Sequence, residues 1–238
     1  GEQTTIALTA MAINALGGKA VSLTGAQAGI STDRVHTKAR IVNITPEAVH
    51  QMLGEGNIVM LAGFQGQTAD GRITTLGRGG SDTSAVALAA ALGADRCQIF
   101  TDVTGVYTAD PRVVTDARQL QVIGYEEMLE LANQGAQVMQ TRAVELGWVN
   151  GVTIEVLSSF VDQPGTQIKE DRQVEQRNKV RGLAADTKVA KVTMVAVPDR
   201  PGIAKLVFDP LAVANINVDM IVQNVSHDGT TDLSFTCG

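Results

Sequence analysis

The sequence predicts an α/β protein: helices on both faces of a mostly parallel sheet, followed by a smaller βαββ unit. Three observations carry this. Helix-like and strand-like patterns alternate through the first two thirds of the 238 residues. The run NIVMLAGF, 57–64, is apolar throughout at strand length, the pattern of a strand buried on both faces. After the charge-dense stretch KEDRQVEQRNKVRG, 169–182, the order changes to strand, helix, strand, strand, a ferredoxin-like unit without its final helix and strand.

Residues 3–17 read as a helix through Ile6, Met11, Ile13 and Leu16, stopped by Gly17-Gly18. KAVSLTG is a short strand and ARIVNI, 39–44, another; Pro46 opens the next helix, with Thr45 placed to cap it. The Asp70-Gly71 pair signals a turn into a hairpin arm, RITTL. A helix over 82–92 precedes the strand RCQIFTDV, 96–103. Helices fit YEEMLELANQG and AQVMQTRAVELG, and VTIEVLSS, 152–159, closes the first domain. The charged stretch is a linker or an exposed helix. Beyond it come KVTMVAVPD as strand, a helix opened by Pro201, then INVDMIVQNVS and TTDLSFTCG as strands. Pro210 should kink or end that helix, because it removes a hydrogen bond and crowds the preceding turn.

Composition bounds the function. A net charge of -6 argues against a general affinity for nucleic acid or anionic membrane. No apolar run reaches the ~20 residues of a membrane span, and the first residues lack a basic leader. Cys97 and Cys237 stand far apart and read as reduced thiols of a cytosolic protein; three scattered histidines suggest no metal cluster. The absence of an initiator Met and the abrupt TTDLSFTCG end read as a chain cut at both ends.

Two polar clusters interrupt the pattern. In GRGGSD, 77–82, glycines let the backbone approach a ligand, and the helix that follows points unpaired N–H groups at the same place. Arg78 adds a planar fork for a carboxylate or phosphate, and Asp82 a group for an ammonium. A plain turn, with Ser81 or Asp82 capping the helix and Arg78 in solvent, uses the same residues. In IFTDVTGVYTADPR, 99–112, Thr101 and Asp102 end a buried strand, where α/β sheets bind ligands, and Tyr107 and Arg112 lie on the next loop. Two such clusters at strand-to-helix edges of one sheet favour a ligand cleft.

GFQGQTADGRITTLGRGGSDTSAVALAAALGA followed by TDVTGVYTADPR resembles the aspartate kinases, of the amino-acid kinase fold. GEQTTIAL, GYEEMLELANQGAQVM and VLSSFVDQPGT extend the resemblance, and VPDRPGIAKLVF with INVDMIVQNVS resembles their ACT regulatory domain. It implies a three-layer αβα kinase domain over 1–168 lacking its N-terminal part, a linker over 169–185, and a partial ACT domain over 186–238. It also implies transfer of the ATP γ-phosphoryl group to the side-chain carboxylate of L-aspartate, with Mg²⁺. Arg78, Gly79, Gly80, Ser81 and Asp82 match the catalytic loop; Glu2, Arg78 and Asp82 match the aspartate site; Thr101, Asp102, Tyr107 and Arg112 match the nucleotide site. Asp199, Gly202, Ala204 and Gln223 would face a lysine or threonine effector, and the ACT unit would pair between identical subunits. A kinase for another amino acid, or a non-catalytic amino-acid-binding subunit, is the alternative. The family's K-[FY]-G-G segment is absent, so the chain alone should turn over very slowly. Gln137 stands where many relatives have Lys, and His36 reads as a turn or surface residue.

Overall fold

The computed structural model describes residues 1–136, 138–171, 180–186, 188–214, 216–224 and 229–237. The chain forms two compact units, Gly1–Ala185 and Asp186–Gly238. The first unit contains, in order, α1 (Glu2–Ala15), β1 (Ala20–Leu23), β2 (Ile30–Thr32), β3 (Ile41–Ile44), α2 (Glu47–Gly54), β4 (Ile58–Leu61), β5 (Gln65–Gln67) and β6 (Ile73–Thr75). It continues with α3 (Gly80–Leu92), β7 (Cys97–Thr101), β8 (Val122–Ile123), α4 (Tyr125–Asn133), α5 (Thr141–Asn150), β9 (Ile154–Ser158) and β10 (Thr166–Ile168). The second unit holds β11 (Ala190–Pro198), α6 (Ile203–Val213), β12 (Val218–Gln223) and β13 (Thr230–Cys237).

This is the mixed α/β architecture the sequence predicts. β1 pairs in parallel with β4, and β7 with β9 in register Cys97↔Ile154 to Thr101↔Ser158. β9, β10 and β8 extend the second of these sheets in the order β7-β9-β10-β8. The sequence reading does not find β8 and β10, which are two and three residues long, too short to show a period. β2 and β5 instead join two antiparallel hairpins into a separate sheet, β3-β2-β5-β6.

The main core lies between β7–β10 and the helices α3, α4 and α5. Val86 and Ala89 of α3, Met128 of α4 and Ala143 and Val144 of α5 close on Cys97, Ile123, Ile154, Val156 and Ile168. The second face of β4 is less covered than its apolar run implies: Ile58 is half exposed. Gly147 lets α5 lie directly on the sheet, since a Cβ there would stand 2.8 Å from Ile154 Cδ1.

Several local expectations are corrected. α5 begins at Thr141, not at Ala136. Pro46 rather than Thr45 is the N-cap of α2, and no side chain caps it. Pro201 falls one residue before Gly202, the N-cap of α6. α6 does not end at Pro210 but runs to Val213, and Ala214 N–H still bonds to Pro210 O. Proline removes one bond to the preceding turn, but the residues after it keep their own donors. The edge-to-face contact of Phe208 with Phe235 on β13, with centroids 5.4 Å apart, holds the helix to its sheet.

In the second unit β13 lies between β11 and β12 and is antiparallel to both. Its buried positions alternate, Thr231, Leu233 and Phe235, under α6. Within the charged stretch 169–182, residues 172–179 lie outside the described residues, and Arg181 is bound to the first unit. Its guanidinium reaches Glu127, Asp171 and the carbonyl of Val122 at 3.2, 3.1 and 2.9 Å.

Candidate active site

The first cluster is built where β4 ends. Gly63 and Phe64 follow the strand and meet the opening of α3: a Cβ on Gly63 would stand 2.9 Å from Ser84 Oγ, and Phe64 N–H donates to that oxygen at 3.2 Å. Phe64 has φ +67, an unusual conformation for a residue with a side chain. Its ring lies where a Cβ on Gly80 would be, 2.9 Å away, so Gly80 is what lets α3 start here. Gly79, not Ser81 or Asp82, is the N-cap; it is left-handed at φ +64, and no side chain caps the helix.

That leaves donors without acceptors. Gly80 N–H bonds to Gly77 O, and Thr83 N–H to Gly79 O. The backbone amides of Arg78, Gly79, Ser81 and Asp82 have no acceptor among the described residues. The Arg78 side chain is exposed and has no ion pair or hydrogen bond there. Unpaired amides at a helix start beside a free guanidinium are chemically an anion site. Gln3 Nε2 donates to Gln65 Oε1 at 2.7 Å, one residue beyond Phe64, while the carboxylate of the adjacent Glu2 lies 3.7 Å from the Gly1 amino group.

Asp82 is partly buried, and burial pushes its carboxyl above the ordinary carboxylate value. Cys97, at the start of β7, is pushed up to about 11, first by burial and then by the charge of Asp82. Asp82 therefore lies on the side of α3 turned to β7.

The second cluster is built where β7 ends. Thr101 is its last residue, and the Thr101 hydroxyl donates to Asp102 Oδ1 at 3.2 Å. The Tyr107 hydroxyl shares a 2.7 Å hydrogen bond with Thr104 Oγ1, and Tyr107 bridges to Gln119. Arg112 grips Asp110 through Nε and Nη2, at 3.0 and 2.8 Å. Asp110 first, and Asp102 more weakly, hold its proton; Arg112 in turn lowers the Asp110 carboxyl. The buried Thr166 hydroxyl anchors the whole loop to β10 by accepting Val106 N–H at 2.8 Å and donating to Leu120 O.

The clusters do not open from one sheet, as the sequence implies: β4 pairs with β1, whereas β7 belongs to the sheet β7-β9-β10-β8, and the short connection from α3 to β7 is what relates them. Only 93–96 separate helix from strand, and Val86 and Ala89 share a core with Cys97, so the chain reverses. Thirteen helical residues span about 20 Å and five strand residues about 17 Å. Thr101 therefore returns towards the level at which α3 began. No hydrogen bond or ion pair among the described residues joins one cluster to the other directly.

The effector candidates lie in the second unit at one end of its sheet. Pro198 of β11 pairs with Thr230, and Gln223 of β12 with Leu233. Asp199 and Gly202 lie in the turn into α6 beside them and Ala204 in its first turn; Asp199 N–H bonds to Gly229 O. His36 is exposed, and Gln137 lies outside the described residues. Sequence reading misses Gln3, Gln65, Gln140, Arg142 and Thr166, which support the clusters. A polar residue directly after an apolar strand, as at Gln65, is the one signal that could have marked any of them.

Among the described residues there is no group of three or more His, Cys, Asp or Glu able to hold a metal, and no helix is long and apolar enough to cross a membrane.

The chain is similar to known proteins along its whole length. It is 54% identical over 237 residues to an aspartate kinase of Pseudomonas fluorescens, and 53% identical over 238 residues to an aspartokinase of Pseudomonas aeruginosa. In both cases 99% of this chain is matched, and it spans 57% and 58% of the length of those relatives. Among solved structures, aspartokinase III of E. coli in complex with lysine and aspartate is 28% identical with a TM-score of 0.77, over 100% of this chain and 53% of that one. The same enzyme in complex with aspartate and ADP gives 0.75, over 99% and 53%. The profile of the amino acid kinase family matches residues 1–158, a stretch that holds both clusters, and the chain belongs to that family.

Proposed function

We propose that this chain carries the active site of an aspartate kinase, moving the γ-phosphoryl group of ATP onto the side-chain carboxylate of L-aspartate. The observation that carries the reading is the Arg78 loop: among the described residues neither the Arg78 guanidinium nor the backbone amides of Arg78, Gly79, Ser81 and Asp82 have a partner, and Gln3, next to Glu2, is bonded to Gln65 nearby. Arg78 grips the α-carboxylate of aspartate as a two-pronged donor. Glu2 and Asp82 take its ammonium. The β-carboxylate oxygen then attacks the γ-phosphorus, the bond to the bridging oxygen breaks, and ADP leaves. Such a transfer needs in-line placement and charge neutralisation, not a covalent enzyme intermediate. The amides of Gly79 and Ser81 face the transferring group.

Thr101, Asp102, Tyr107 and Arg112 hold the nucleotide. Arg112 must exchange Asp110 for a phosphate to do so. Mg²⁺ would supply charge neutralisation at the phosphates, and Asp102, whose Oδ1 accepts from the Thr101 hydroxyl, is the carboxylate of this cluster that could help hold it. The names of the relatives and the aspartate and ADP complexes of the E. coli enzyme support this assignment. Asp199, Gly202, Ala204 and Gln223 form an effector site for lysine or threonine, and β12, whose Met220, Ile221 and Val222 are exposed, pairs with a second copy. The compartment is the cytoplasm.

The test is a hydroxylamine trap for acyl phosphate with ATP, Mg²⁺ and aspartate, on this chain and on the chain supplied with a K-[FY]-G-G segment. The supplied chain should turn over at an ordinary kinase rate of about 1–100 s⁻¹, and the chain alone far more slowly. Failure of the supplied chain to bind ATP–Mg²⁺ in calorimetry would instead support a non-catalytic amino-acid-binding subunit.

A further inference from the structure

The Arg78 loop is gripped from its carbonyl side. Arg142, in the first turn of α5, donates from Nη1 to Leu76 O at 2.9 Å and from Nη2 to Ala39 O at 3.0 Å. Ala39 N–H in turn donates to Thr75 O at 3.0 Å. One guanidinium therefore joins three segments: the start of α5, the loop before β3, and the two residues that lead into Gly77 and Arg78. It is half-buried and has no carboxylate partner among the described residues, so its charge is directed wholly at these two carbonyls. Gln140, two residues earlier, fills the space over Gly79. On the other side Thr37 O would stand 2.8 Å from a Cβ on Gly77.

The peptide plane explains what this grip does. A peptide unit is planar, so fixing Leu76 C=O towards Arg142 turns the N–H of Gly77 the opposite way. Gly77 O and Gly79 O are taken by Gly80 and Thr83. With the carbonyls engaged on the inner side, the amides that follow are presented on the outer one, next to Arg78.

We propose that Arg142, with Gln140, is a positioning residue for the Arg78 loop: the clamp holds the loop in the conformation that turns its amides and its arginine to the substrate. The effect on aspartate rests on the kinase reading above, whereas the clamp itself does not. The family resemblance assigns no role to either residue.

Amide hydrogen exchange on the 238-residue chain tests the clamp alone. Arg142→Ala should speed exchange of the Ala39, Leu76, Gly80 and Thr83 amides by at least about tenfold, while the β7 and β9 amides keep their protection. Unchanged exchange at those four amides overturns the clamp. If Arg142→Ala loosens the sheet as well, Arg142→Lys and Gln140→Ala decide. Lysine can reach one carbonyl but not both, so its four amides should exchange at an intermediate rate; a wild-type rate in both variants overturns the proposal. Titration calorimetry then tests positioning. Arg142→Ala should weaken aspartate by about tenfold or more and ATP–Mg²⁺ by much less. Equal loss for both ligands, or none for aspartate, overturns the positioning role. A wild-type chain, with the K-[FY]-G-G segment supplied, that shows the clamp by exchange but no aspartate affinity overturns the kinase reading instead.

Discussion

Arg78 is exposed, and nothing in the described chain competes for it. If it binds the α-carboxylate, Arg78→Ala removes a charged pair of about 2–3 kcal/mol. The aspartate KM should rise, and kcat/KM fall on the order of 100-fold, with the ATP KM little changed. Steady-state kinetics that show loss for ATP alone would move Arg78 to the other ligand. Arg78 and the free amides were legible in the sequence because glycines before an apolar helix are a local signal. Arg142 was not, because its partners are backbone carbonyls 66 and 103 residues away and a carbonyl has no letter. Cys97 offers a pH measurement. Its thiol sits at about 11 in the folded chain against 9.0 for the free group. Below pH 9 both states keep the proton. Between 9 and 11 the unfolded thiol ionises and the folded one does not, so stability falls by about 2 kcal/mol across that window. Urea midpoints at pH 8.5 and 11 should therefore converge more in Cys97→Ala than in the parent chain.

At the level of elements, long periodic segments were legible and short ones were not. β4, β7 and β9 follow from their apolar runs, and α1, α3 and α4 from their length and the glycines after them, not from side-chain caps, which α1 and α3 lack. β8 and β10 exist because a neighbouring strand supplies their partners, a fact no local pattern contains. β10 matters most for the site. Its Thr166 accepts Val106 N–H and closes the loop that carries Asp102, Tyr107 and Arg112. Thr166→Val keeps the shape of the side chain but leaves a buried donor unmade, at a cost of about 1–3 kcal/mol. The variant should unfold at lower denaturant and bind ATP–Mg²⁺ more weakly, with aspartate affinity nearly kept. Pro210 shows the converse: a strong local signal that the packing of Phe208 on Phe235 overrides.

For the whole molecule, two units of unequal quality predict two transitions. The first unit has its core between a four-stranded sheet and three helices. The second buries only Thr231, Leu233 and Phe235 among its described residues and leaves Val195, Leu206 and Val213 exposed. Units of about 60 residues bury little surface and are marginal alone. Differential scanning calorimetry should show a small early transition that rises with protein concentration if copies pair through β12, then a larger one that does not. A single concentration-independent transition would count against both the separation and the pairing. The change of architecture after the charged stretch was legible as a change of pattern. The attachment of Arg181 was not, since its partners come from three places along the chain.

The contact between Gly79 and Gln140 restricts the order in which descendants of this sequence can diverge. A methyl group at 79 would collide with Cγ of Gln140. Alanine at 140 must be acquired first; it removes Cγ and Cδ, and alanine at 79 then meets the remaining Cβ at 2.8 Å and its own left-handed backbone, a smaller penalty than the whole glutamine imposes. A lineage that took the steps in reverse would pass through an ancestor unable to seat the start of α3. Stability measured for Gly79→Ala, Gln140→Ala and the pair together should show that epistasis as a double variant less damaged than the sum of its parts.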